Sequence, residues 1–160
     1  MKAGQKIRIS TPFFVKIPDA KFSRLGHVDQ SYMITQWYPK PAVYDSQGWH
    51  PMPYLDQGEF YSEFGSYDVS ITLPSNYTVG ATGDLQNEEE IKRLNHLAEI
   101  TDTITKFSND MDFPISDEKD KTLRYIQKNI HDFGWFADKR YHVLKGEVML
   151  PQSNKQVTLW

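Results

Sequence analysis

From Thr35 to Leu85 the chain sets prolines, glycines and aromatic rings at short intervals, and nothing else in it constrains the fold so strongly. Trp49-His50-Pro51-Met52-Pro53-Tyr54 can be neither a regular helix nor a central strand. Its alternate prolines lack the amide donor that both structures use. The segment reads as an aromatic-lined loop, and Asp45-Ser46-Gln47-Gly48 before it is a turn signal. Further on, Tyr67, Val69, Ile71 and Leu73 alternate with Asp68, Ser70 and Thr72. A period of two predicts a strand with one wet and one buried face. Pro74-Ser75-Asn76 then turns the chain, and Tyr77 to Thr82 predicts a short return strand ending at Gly83-Asp84. This spacing is that of an antiparallel β domain.

The flanking segments extend the pattern. Ile7, Ile9, Phe13, Val15 and Ile17 alternate with polar residues, which predicts an edge strand over 6–18 with a bend at Thr11-Pro12. Residues 19–30 are polar and read as a loop, and Tyr32 to Tyr38 is strand-like. One amphipathic helix is expected over about 87–107, inserted into the β domain and packed on a sheet face. Asn87 stands in N-cap position with Glu90 as its capping-box partner. Ile91, Leu94, Leu97, Ile104 and Phe107 form its apolar stripe. Residues 116–133 fit a helical and an alternating pattern equally, so periodicity leaves strand or helix open there. Tyr141–Leu150 and Gln156–Trp160 read as two more strands around Pro151-Gln152-Ser153-Asn154. The expected fold is mostly β, an antiparallel β-sandwich or saddle-shaped sheet, in a single domain over 1–160. The polar start at Met1 and the apolar strand at Val157–Trp160 suggest a piece excised from a longer chain.

At 160 residues one domain is the default, long enough to bury a core. Apolar residues are a modest 39%, but 14% of the chain is aromatic, so the core is expected to rest on rings. A net charge of −3 with no basic run argues against nucleic acid. No apolar run is long enough to span a bilayer. The absence of cysteine excludes disulfides and thiolate metal sites. The compartment stays open: no secretion signal is visible, yet many exported bacterial proteins also lack cysteine, so export of a parent protein to the cell envelope is compatible with the sequence.

Few constellations could carry chemistry. Zinc peptidases of the gluzincin type need two histidines four residues apart with a glutamate between them. His27, His50, His96, His131 and His142 contain no such pair. His131-Asp132 could suggest acid–base work, but neighbours on a strand face opposite ways, and a polar strand end is the plainer reading. Glu59 and Glu63 could suggest glycoside cleavage, although a solvated face opposite buried Phe60 and Phe64 explains them better. Gly80-Ala81-Thr82-Gly83 lacks the lysine of a phosphate loop and reads as a turn. Trp37, Tyr38, Tyr44, Trp49 and Tyr54 could stack sugars or line a peptide pocket, or could simply be aromatic core.

Four landmarks occur in order: Gln36-Trp37-Tyr38-Pro39-Lys40; Tyr67-Asp68-Val69-Ser70-Ile71-Thr72-Leu73-Pro74; Tyr77-Thr78-Val79-Gly80-Ala81-Thr82-Gly83; and Lys121-Thr122-Leu123-Arg124-Tyr125 leading to Ile130-His131-Asp132-Phe133-Gly134-Trp135-Phe136-Ala137-Asp138. Together they resemble the N-terminal domain of the aminopeptidase N and leukotriene hydrolase family of zinc metallopeptidases. The resemblance spans about Ile7 to Trp160. It implies a saddle-shaped β domain, a strand over 121–130, and a catalytic domain elsewhere in the same polypeptide that carries the zinc. It also implies that the present chain binds no cofactor and hydrolyses nothing alone. In that family a Gln or Glu on the strand matching Thr35–Tyr38 holds the amino group of a peptide substrate. The implied substrate-binding residues here are Gln36, Trp37 and Tyr38. The closest register puts Tyr38 in the position of that carboxamide or carboxylate, and a phenol supplies no charge. A carbohydrate-binding β-sandwich that stacks sugars on Trp37, Trp49 and Tyr54 is the competing expectation.

Overall fold

The computed structural model describes residues 4–20, 25–53, 55, 58 and 60–160. The chain is mostly β, with antiparallel sheets and, among the described residues, a single helix. The strands are β1 (Leu25–Val28), β2 (Ser31–Ile34), β3 (Val43–Asp45), β4 (Gly48–His50), β5 (Gly65–Pro74), β6 (Thr78–Ala81), β7 (Asp84–Leu85), β8 (Asp120–Ile130), β9 (Trp135–Asp138), β10 (Gly146–Leu150) and β11 (Lys155–Leu159), with helix α1 (Glu88–Asp102) between β7 and β8. They form a four-stranded sheet in the order β1-β2-β9-β6, a three-stranded sheet in the order β5-β8-β7, and the hairpins β3-β4 and β10-β11. No helix among the described residues is long and apolar enough to cross a membrane.

The alternation from Tyr67 to Leu73 does what the pattern predicts. Ile71 is buried, Tyr67, Val69 and Leu73 are half-buried on the same face, and Asp68, Ser70 and Thr72 are exposed. The ambiguous stretch after Ser116 is a strand over Asp120–Ile130, with Leu123 and Tyr125 buried. On the wet face Thr72 and Thr122 hydrogen-bond at 2.9 Å, and Arg124 grips Asp68 with Nε and Nη2 at 2.8 and 2.6 Å. Ile71, Leu123 and Tyr125 from one sheet, Val79 and Ala137 from the other, and Tyr77 and Phe133 share one core. Phe133 is 0% exposed and sits at its centre. Rings do carry much of this core, as the composition implied.

Several expectations fail for physical reasons. Residues 6–18 form no strand. Ile7, Ile9 and Phe14 are 67, 78 and 90% exposed, because alternation makes a strand only where a neighbour supplies hydrogen bonds and a face. Phe13 still rests on Trp37, ring centroids 6.0 Å apart. Conversely, the stretch 19–30 is not all loop. β1 lies in it, paired with β2 from Leu25↔Ile34 to Val28↔Ser31. The helix is shorter than 87–107 and ends at Asp102, so Ile104 and Phe107 lie beyond it. There Thr101 and Thr103 turn their hydroxyls onto the carbonyls of Leu97 and Ile100 at 2.9 and 2.7 Å, in a β-branched run that disfavours helix. The strand expected over 141–150 covers only Gly146–Leu150.

The capping box does not form either. Asn87 makes no side-chain cap. Its amide instead joins the strand β8, donating to the Thr122 carbonyl at 3.0 Å and accepting from the Arg124 N–H at 2.8 Å. Glu90 is buried and takes Arg93 Nη1 at 2.9 Å and Lys121 Nζ at 2.7 Å. Side chains read as capping devices thus tie the helix to the sheet.

Candidate functional site

Past β2 the chain leaves the sheet at Gln36, whose φ of 55° is left-handed. A non-glycine residue there is uncommon and turns the backbone sharply. The turn delivers Trp37 and Tyr38 to the rim of the core. The Trp37 indole donates to the Phe133 carbonyl at 3.1 Å and meets the Tyr38 ring edge-on at 5.3 Å. Tyr38 in turn meets Tyr67 of β5 edge-on at 5.8 Å, and Tyr67 stacks on Phe133 at 6.2 Å.

The opposite wall comes from the end of β8. Ser66 pairs with Lys128 and Gly65 with Ile130, which leaves Asn129 as an extra residue with φ 56°. Such a bulge bends its strand. His131 and Asp132 follow directly. Asp132 Oδ1 accepts the Phe133 N–H at 2.8 Å and the Tyr38 hydroxyl at 2.9 Å, and lies 3.0 Å from Lys40 Nζ. The Lys40 ammonium also lies over the rings of Tyr38 and Phe60, at 5.6 and 5.7 Å, and 3.4 Å from Ser62 Oγ. A cavity of about 340 Å³ opens beside these groups, lined by Tyr38, Lys40, Glu63, Phe64, Tyr67 and His131 among others.

Burial pushes the Tyr38 phenol well above its ordinary value, and its hydrogen bonds to Tyr67 and Asp132 push the same way. Tyr38 therefore keeps its proton across the physiological pH range. A hydroxyl has one proton and two lone pairs. The proton goes to the Asp132 carboxylate, the stronger acceptor. The Tyr67 hydroxyl oxygen lies 2.9 Å from the same phenol oxygen, also within reach of its proton. The phenol oxygen can still accept a donor at the cavity.

The three residues singled out from sequence divide. Tyr38 lines the cavity. Trp37 is half-buried, its indole N–H already committed to Phe133. The Gln36 Oε1 atom is buried without a hydrogen-bond partner. The five-ring cluster also divides: Trp37 and Tyr38 join the core, whereas Tyr44 and Trp49 face each other across the β3-β4 hairpin at 4.9 Å, both about two-thirds exposed. Tyr54 and Glu59 lie outside the described residues. Glu63 sits outside the strands, and Phe64 is 70% exposed rather than buried opposite it. Sequence reading passed over Lys40 and took Asp132 for a plain polar strand end. The sequence carries no local signal for their meeting, since 92 positions separate them and only the β8 bulge joins them.

A second polar group stands on the hairpin. His50 Nε2 lies 2.8 Å from Asp45 Oδ1, and the His50 ring meets Tyr61 edge-on at 5.3 Å. The imidazole and then the Gln47 N–H hold the Asp45 carboxyl below its usual range. Among the described residues no three His, Cys, Asp or Glu come together to hold a metal ion. Compared with known proteins, the chain matches no family model, no curated protein and no solved structure.

Proposed function

We propose that this chain is the non-catalytic β domain of a zinc-dependent metallopeptidase and contributes scaffold and one wall of the substrate cleft. The observation that carries the reading is Tyr38, held at a cavity by its hydrogen bonds to Asp132 and Tyr67 with acceptor capacity left on its oxygen. Such a group orients the N–H donors of a peptide and performs no chemistry. The landmarks around Gln36–Lys40, Tyr67–Pro74, Tyr77–Gly83 and Lys121–Asp138 support the same reading. In this reading the zinc of such an enzyme belongs to a catalytic domain elsewhere in the same polypeptide.

A chromogenic aminoacyl anilide should stay intact when the chain is incubated with it and added zinc. A dipeptide amide should bind weakly, in the millimolar range or about 4 kcal/mol. Its NMR shift changes should centre on Tyr38, Tyr67 and His131 and disappear in Tyr38→Phe. Zinc-dependent turnover by the chain alone would sink the proposal.

The exposed Tyr44–Trp49 pair favours a second reading, a sugar-stacking module on the β3-β4 hairpin. Trp37 drops out of that reading because its indole is committed inside. An oligosaccharide titration followed by tryptophan fluorescence separates the two: a saturable change lost in Trp49→Ala supports sugar binding, and a flat trace removes it.

A further inference from the structure

β5 is an outer strand of its sheet and pairs with β8 along its whole length, from Gly65 to Pro74. The bonds of β8 show which groups of β5 face outward. The Arg124 N–H donates to Asn87 Oδ1, the Arg124 carbonyl accepts the Gln86 N–H, and the Thr122 carbonyl accepts Asn87 Nδ2. The main chain of Thr122 and Arg124 therefore points away from β5. Strand residues alternate in the side to which they turn N–H and C=O. β8 thus bonds β5 through Lys121, Leu123 and Tyr125, which stand opposite Leu73, Ile71 and Val69. The main-chain groups of Asp68, Ser70 and Thr72 point the other way, out of the sheet edge. Pro74 belongs to the same outward series, where a missing N–H breaks no bond to β8. Among the described residues no hydrogen bond uses the main-chain groups of Asp68, Ser70 or Thr72, and all three residues are exposed.

Natural sheets guard a free edge with lysine, proline, a bulge or an inward charge. Between Tyr67 and Leu73 β5 has none of these, and its one charge, Asp68, is matched by Arg124. The stretch is also its own complement. Read outward from Ser70, Val69 answers Ile71, Asp68 answers Thr72 and Tyr67 answers Leu73. That symmetry argues for a second copy of the chain, since a foreign strand needs none. We propose that the β5 edge pairs antiparallel with the β5 edge of a second copy, about a two-fold axis at Ser70, and joins the two three-stranded sheets into one. In this register every outward N–H and C=O of Asp68, Ser70 and Thr72 gains a partner. Each Asp68 carboxylate faces a Thr72 hydroxyl, and β-branched Val69 faces β-branched Ile71, cross-strand pairs of a stabilising kind. An axis at Asp68 would oppose two carboxylates, and an axis at Ile71 would set Asp68 against Pro74, which has no N–H to give. Tyr67, Val69 and Leu73 face inward yet are only half-buried, and in the joined sheet each lies beside an apolar residue of the other copy. One strand pair makes a small contact, so the dimer is weak and reversible. This surface does not depend on the reading of the Tyr38 cavity.

Sedimentation velocity of the whole chain from micromolar to millimolar concentration should show a reversible dimer. By hydrogen-exchange NMR the amides of Asp68, Ser70 and Thr72 should exchange at least tenfold more slowly in the dimer than in the monomer. Ser70→Lys and Ser70→Glu each change an exposed side chain and set like charges across the axis. Each should raise the dimer dissociation constant at least tenfold while the circular dichroism spectrum stays native. An equimolar mixture of the two variants should dimerise again, because lysine then faces glutamate. That rescue reads the register itself, and a misfolded variant could not produce it. The proposal is overturned if the chain stays monomeric throughout, if these amides are already protected in the monomer, if either folded variant dimerises as well as the unchanged chain, or if the mixture fails to recover the dimer.

Discussion

Asp132 shows how much one carboxylate can hold in place. Its Oδ1 takes the Tyr38 hydroxyl, the Lys40 ammonium and a backbone N–H, while its side chain is only 25% exposed and that of Lys40 18%. Removing its charge strands a largely buried cation. Asp132→Asn should cost about 3 kcal/mol, near the low end for breaking a buried ion pair. Tyr38→Phe leaves the pair intact and should cost about 1.5 kcal/mol, the scale of one hydrogen bond to a charged group. Urea unfolding of both variants checks the order; equal losses would mean that the phenol, not the ion pair, holds the site. Burial also raises the phenols of Tyr38 and Tyr125 above the ordinary 10.0. Their folded forms keep the proton after the unfolded chain has released it. Stability is thus intact below about pH 10 and falls as pH rises beyond it. Absorbance at 295 nm should show these two tyrosines ionising together with unfolding rather than before it. Tyr38 could be picked out from sequence because its neighbours carry rings and prolines. Its hydrogen-bond partners could not, since Asp132 and Tyr67 lie far off in the chain.

Among the elements, α1 shows best where local signals stop being decisive. Its existence was legible from the apolar spacing at Leu94 and Leu97 and from the acidic first turn at Glu88, Glu89 and Glu90. Its attachment was not. Asn87 and Glu90 have the spacing of a capping box, yet the neighbouring β8 offers both a better partner: backbone groups of Thr122 and Arg124 for Asn87, the ammonium of Lys121 for Glu90. Two variants separate these roles. Asn87→Ala should cost about 1 kcal/mol through its lost bonds to β8 and leave helical ellipticity unchanged. Glu90→Ala should cost about 3 kcal/mol, because Lys121 and Arg93 lose their buried counter-charge. A drop in helicity in Asn87→Ala, measured by circular dichroism at 222 nm, would restore the capping role and count against the pin.

Over the whole molecule, two sheets share one aromatic core, and the rest of the chain is fastened to it. Lys139 Nζ bonds Gln30 and Ser116 as well as the Pro114 carbonyl, and Arg140 lies 3.5 Å over the Phe113 ring and bonds the Met111 carbonyl. Asn76 secures the same strap, residues 103–119 between α1 and β8, through the Ile115 carbonyl and the Asp117 N–H. The segment 4–18 is mostly exposed; among the described contacts Phe13 rests on Trp37 and the Pro18 carbonyl accepts the His27 N–H at 3.0 Å. Trypsin should therefore cut first at Lys6, Arg8 or Lys16 and leave a folded body, its near-ultraviolet circular dichroism retained. First cuts at Lys106 or Lys119 would show the strap to be the weaker attachment.

The sequence by itself determined the class of this protein. Alternation from Tyr67 to Leu73, turns at Pro74–Asn76 and at Asp45–Gly48, and one apolar helical stripe are local devices, written within a few residues and surviving in the fold. The tertiary structure alone decided which alternating segments became strands. Residues 6–18 had the pattern but gained no pairing strand among the described residues, whereas Leu25–Val28, inside a stretch read as loop, had a partner in β2 and needed little pattern. It alone brought Asp132 to Tyr38. The reason is common to both: a strand or a site is completed by hydrogen bonds to distant chain, so its pairing is a property of the assembled fold and not of its own residues.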